Sequence, residues 1–132
     1  MSIELLNVIK LKASKLKKTI VLPESHDERV LKAASLLSEE KTVNVIILGN
    51  EANVMTNVKK LGLEFNGVRI IDHLKSEKLS DFTNIFFNIR KHKKITIEQA
   101  RKAMERDLFF SAMMVFLSSR SLLAIFFCLK LR

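Results

Sequence analysis

Groups able to move protons or attack an electrophile adjoin in one short turn, Glu24-Ser25-His26-Asp27. An imidazole beside a carboxylate can relay a proton to or from a substrate. Adjacent residues rarely converge on one atom, however, and Asp27 has a structural role ready as the cap of the segment that follows. Ser25 lacks the glycine-flanked elbow that presents a hydrolase nucleophile. His73 and His92 each stand alone near element ends and read as surface residues. Cys128 lies in an apolar run, where a thiol is passive, and it has no partners with metal-ligand spacing, so no metal site is expected. The remaining group is the basic run Arg90-Lys91-His92-Lys93-Lys94, which by charge alone is a solvated turn.

The elements that must carry these groups follow from periodicity. Apolar Ile3, Leu6, Ile9 and Ala13 recur at helical spacing, which predicts an N-terminal amphipathic helix with one face packed on the domain. Thr19 to Leu22 is a short β-prone run ended by Pro23, and Val30, Leu31, Ala34 and Leu37 form the stripe of a helix opened by Asp27. Val43 to Leu48 is almost continuously aliphatic, as in a strand covered on both faces. A second helix, Glu51 to Leu61, is closed by Gly62, and Val68 to Ile71 makes a third strand. Strands alternating with helices predict an α/β fold with a mainly parallel sheet between helical layers. Two further helices are expected, Leu79 to Arg90 and one from Thr96, where Gln99 completes a capping box. The Glu24 to Asp27 turn then falls at the carboxyl end of the first strand, where such sheets place ligands.

Length admits one domain, and the single cysteine excludes an internal disulfide, so a reducing, cytoplasmic setting is the default. The formal net charge is +9, from 23 Lys and Arg against 14 Asp and Glu. That balance suits anionic partners of several kinds. With no Tyr or Trp, a basic patch interleaved with stacking aromatics is not expected, which argues against nucleic acid. The start of the chain mixes charge with apolar residues and is not a secretion signal. From Phe109 to Cys128 a single charge, Arg120, interrupts an apolar stretch; as a membrane span it would carry that arginine near its centre, at roughly 2.5–3.5 kcal/mol.

Taken together, these pieces resemble a known family. Lys18 to Ser35 is similar to the N-terminal signature of phosphate acetyl- and butyryltransferases, a strand running into LPE, a polar turn, D-x-R and a helix. Val45 to Glu51 resembles the family's LGN-E turn, Ile70-Ile71-Asp72 its third strand end, and Arg90 to Ala100 its R-K-x-K-G, T-x-E-x-A segment. Met113-Met114-Val115 resembles its YF-x-x-MMV strand. Two departures stand inside the match: Ser25-His26 where Gly-Glu is usual, and Lys94 where Gly is usual. Past Val115 the likeness stops.

The resemblance implies a three-layer αβα arrangement as the incomplete N-terminal part of a two-domain acyltransferase fold, covering 1–115, with 116–132 an anomalous apolar tail of truncated or frame-shifted origin. It implies acetyl exchange between coenzyme A and inorganic phosphate, with acetyl-CoA and phosphate as substrates, no bound cofactor, and a cytoplasmic homodimer for an intact member. For Arg90 it implies contact with substrate or coenzyme anions. The family's Ser, Arg and Asp that act in the reaction belong to its C-terminal half, so this chain is expected to be an inactive fragment without catalytic residues. The alternative is a non-catalytic anion-binding protein or a membrane-associated small protein, the latter less favoured.

Overall fold

The computed structural model describes residues 2–118 and 122–124. Arg120 and Cys128 lie outside them. The chain runs α1 (Ile3–Leu16), β1 (Thr19–Leu22), α2 (Glu28–Glu40), β2 (Asn44–Leu48), α3 (Glu51–Lys60), β3 (Arg69–Ile71), a short turn of helix His73–Lys75, α4 (Lys78–Arg90), a second such turn Lys91–Lys93, α5 (Ile97–Glu105), α6 (Asp107–Leu117) and β4 (Leu122–Ala124). The four strands form one sheet in the order β3-β2-β1-β4, each pair parallel. β1 lies between β2 and β4, with Ile20 opposite both Val45 and Leu123.

Alternation along the strands divides the apolar residues between two cores. Ile20, Leu22, Val45 and Ile47 point to one face and pack with Val30, Leu31 and Ala34 of α2 and Val54 and Val58 of α3. Val21, Ile46 and Leu48 point to the other, against Leu79 and Phe82 of α4, Met104 of α5, and Phe110 and Met113 of α6. The result is the three-layer αβα arrangement expected, because a strand with no polar position must be covered on both faces.

Local rules set the ends of the helices. Thr96 and Gln99 form the anticipated capping box, with the Thr96 N–H donating to Gln99 Oε1 at 2.9 Å and the Gln99 N–H to Thr96 Oγ1 at 3.1 Å. Gly62, at φ 65°, closes α3: its N–H donates to the Lys59 carbonyl and that of Leu63 to the Val58 carbonyl, the paired bonds of a left-handed helix stop. Asp27 caps α2 through the Arg29 N–H at 2.8 Å and grips the Arg29 side chain at 2.7 and 3.1 Å. Chiefly because of that side-chain hydrogen bond, the Asp27 carboxyl falls from its ordinary 3.8 to about 2.

Four expectations are corrected or extended. Met113 to Val115, read as a strand, lies inside helix α6; a continuous apolar run does not separate strand from helix, and here Phe110 and Met113, one turn apart, fill the core beneath the sheet. His73 is buried, not at the surface, because its Nε2–H donates to the Glu105 carbonyl at 2.7 Å and its ring lies against Phe110. α1 forms over the residues expected but buries none of them. β4 falls in the stretch beyond residue 115 and adds a strand alongside β1.

Two measurements test these local accounts. Lys94 has φ 57°, a left-handed conformation that crowds its Cβ, which explains why glycine suits this turn. Lys94→Gly is therefore expected to raise the unfolding free energy by about 0.5–1 kcal/mol in urea denaturation. Asp27 is ionised in the native state down to a lower pH than in the unfolded chain, so it contributes stability above pH 3.8 that is lost as pH falls toward about 2. Asp27→Asn keeps a capping oxygen but no charge, so it should cost about 1 kcal/mol at pH 7, with the gap to wild type closing between about pH 4 and 2.

Candidate functional site

The carboxyl ends of β1 and β2 lie side by side, and their following loops define a groove of about 420 Å³. β1 delivers Ser25 and His26 from its loop, and β2 delivers Asn50, the cap of α3. The outward face of α3 adds Asn53, Thr56, Asn57 and Lys60, spaced three and four apart so that they stack along one side. Val54 lies at the floor and joins the core beneath.

Glycine makes this closeness possible. A Cβ on Gly49 would collide with Ser25 Oγ and stand 3.1 Å from Val54 Cγ2, so the two loops approach as they do only because position 49 has no side chain. The Gly49 N–H donates to the Ile71 carbonyl at 2.9 Å, which ties the same turn to the end of β3.

The lining sets what the groove can do. Amides, hydroxyls, an imidazole and one ammonium group face it, and no carboxylate does. Such a surface offers several donors to a ligand rich in acceptor oxygens, and its single formal charge favours an anion. Among the described residues no hydrogen bond joins Ser25 to His26, and Asp27 is engaged by Arg29 at 2.7 Å with its carboxyl held near 2. The His26 and Asp27 pair therefore serves no shared proton.

Glu24, beside this groove in sequence, is buried, and its Oε2 has no hydrogen-bond partner. Composition did not single it out, since a lone glutamate in a turn is ordinarily solvated. The α3 residues of the groove were also missed, although a polar stripe at positions 50, 53, 56–57 and 60, uncharged but for Lys60, was visible in the sequence.

Arg90 stands apart from the groove. α4 starts just past the carboxyl end of β3, and Arg90 is its last residue, about 18 Å farther along at the helical rise. α5 then returns the chain, and Glu105 at its end meets His73 near β3. The Arg90 to Lys94 turn thus forms the far tip of a helical hairpin, with the half-buried Arg90 laid against Phe86, Cζ 5.9 Å from the ring centroid. His92 is exposed on the same tip. Among the described residues no three His, Cys, Asp or Glu side chains are grouped to hold a metal, and no helix is long and apolar enough to cross a membrane.

Comparison with known proteins agrees with this architecture. The model of the phosphate acetyl/butaryl transferase family matches residues 4–120. A phosphate acetyltransferase of Acetivibrio thermocellus is 45% identical over 98 residues, covering 74% of this chain and 29% of that protein. One of Bacillus subtilis is 41% identical over 97 residues, with 74% and 30% covered. Among solved structures, EutD phosphotransacetylase from Staphylococcus aureus superposes with a TM-score of 0.78 at 36% identity, over 92% of this chain and 37% of that one. The chain thus spans about a third of the length of the relatives it matches. With a family match across most of its length and the fold of solved members, the chain belongs to the phosphate acetyl/butaryl transferase family.

Proposed function

We propose that this chain serves phosphate acetyl transfer, the exchange of an acetyl group between coenzyme A and inorganic phosphate, as the N-terminal α/β part (1–115) of such an acyltransferase. The observation that carries the reading is the family match over residues 4–120, supported by a relative 45% identical. In this reading acetyl-CoA and phosphate are substrates, no cofactor is held, and the whole enzyme is a cytoplasmic homodimer without nucleic-acid or membrane partners.

The role of the chain is to bind, not to react. Both substrates carry phosphate oxygens, and Arg90 presents a planar fork that can grip two of them, its orientation restrained by Phe86. Direct attack of a thiolate on acetyl phosphate further requires a base for the thiol and donors for the developing oxyanion. The groove offers donors and one imidazole, that of His26, which Asp27 does not assist, and the resemblance implies that the family's reacting Ser, Arg and Asp belong to its C-terminal half. The 132 residues by themselves are therefore proposed to be inactive. A second reading, a non-catalytic anion-binding module, is favoured by the net charge of +9.

Purified chain incubated with acetyl phosphate and coenzyme A is expected to show no turnover above the uncatalysed rate, while calorimetry detects coenzyme A binding that Arg90→Ala weakens by about tenfold. Turnover would contradict the proposed inactivity. Binding of assorted polyanions with no preference for coenzyme A, falling steeply with salt, would favour the second reading.

A further inference from the structure

Two arginines rest on aromatic rings, and the two rings touch each other. Arg90 Cζ lies 5.9 Å from the centre of the Phe86 ring, and Arg106 Cζ lies 5.1 Å from that of Phe109. Phe86 and Phe109 meet edge to face with their centres 6.1 Å apart. Guanidinium, ring, ring and guanidinium thus form one row across α4 and the start of α6. Among the described residues neither guanidinium meets a carboxylate, whereas Arg29 is taken by Asp27 and Arg101 by Glu105. A guanidinium that lies on a ring keeps its fork of donors and its outer face for a ligand.

The row is both fixed and reachable. Phe86 packs against the core beneath the sheet. Arg106 occupies the corner between α5 and α6, where its N–H donates to the Ala103 carbonyl at 3.1 Å and its own carbonyl accepts the Phe110 N–H at 3.0 Å. Its side chain is exposed, and Phe109 keeps 36% of its surface in water.

Charge distinguishes the two ends. From Phe82 to Ile97 there is no acidic residue, and Arg90, Lys91, Lys93 and Lys94 collect positive charge at one end of the row. Arg106 stands instead between Glu105, paired with Arg101 at 3.6 Å, and Asp107, whose Oδ1 accepts the Leu108 N–H at 2.7 Å. Phosphates are therefore drawn to the Arg90 end. The Arg106 end suits a flat, uncharged group, since guanidinium planes and aromatic rings both stack on nucleobases.

We infer that Arg106 and Phe109 form a stacking platform for a nucleobase beside the phosphate grip at Arg90, so that the row receives the adenosine 3′,5′-bisphosphate end of coenzyme A. The inference rests on the function proposed above and adds to it the residues that hold the base.

The probe is adenosine 3′,5′-bisphosphate, titrated calorimetrically into the 132-residue chain. The wild-type chain is expected to bind it, and Arg106→Ala to weaken that binding about tenfold. Arg106→Lys keeps the charge but not the plane, and Phe109→Leu keeps an apolar side chain but not the ring, so both are expected to weaken binding similarly. Circular dichroism and the urea midpoint of each variant verify the fold. Unchanged affinity in Arg106→Ala, as for an arginine that only ties the helices together, overturns the inference, and so does full affinity in Arg106→Lys, which would make the residue a charge alone. Absence of binding by the wild-type chain overturns it as well. Coenzyme A is titrated in parallel: if Arg90→Ala weakens its binding and Arg106→Ala does not, the fault lies with the platform and not with the proposed function.

Discussion

Everything in this molecule hangs on burying two short strands from both sides at once. Val21, Leu22, Ile47 and Leu48 are wholly inaccessible, and neighbours along each strand feed opposite cores. Each such side chain contributes roughly 1.5–3 kcal/mol relative to exposure, so the strand pair and its two helical layers are stable only together. A one-residue slip of β1 against β2 would exchange the two cores, which fixes the register. With the register fixed, the loops after Leu22 and Leu48 must meet at one edge.

That meeting defines the binding edge and also limits its chemistry. Gly49 lets Ser25 approach, and α3 then lays a polar side, with Lys60 as its one charge, along the opening. The Asp27 carboxylate, its acidity strengthened by Arg29, is committed to a helix end and to that arginine. What results is a surface of donors with one imidazole, beside a buried glutamate, Glu24, whose Oε2 has no hydrogen-bond partner.

Strands and helix boundaries were legible where local rules decide them. The aliphatic run to Leu48, the Asp27 cap, the Gly62 stop and the Thr96 box each rest on a few adjacent residues, and each appears where the sequence places it. Where a long-range contact decides, pattern alone failed. His73 is buried because Glu105, far along the chain, accepts its hydrogen bond, and nothing next to it signals that. The run from Phe109 to Leu117 is apolar on every side, so its helical state depends on the core that Phe110 and Met113 fill. α1 reads as amphipathic, but amphipathicity does not say which way a helix faces. In the site, the basic turn at Arg90 and the loop at Ser25 were visible separately; that a 13-residue helix holds them apart is a fact of the fold.

The central claim is that the two-sided β1–β2 ladder is the stable nucleus to which the groove and the outer helices are attached. Native-state amide hydrogen exchange of the 132-residue chain tests it most directly. The account predicts that the amides of Val21, Leu22, Ile46 and Ile47 exchange only through global unfolding, while those of α1 exchange much faster. Exchange of the β1 and β2 amides at the rate of α1 would contradict it.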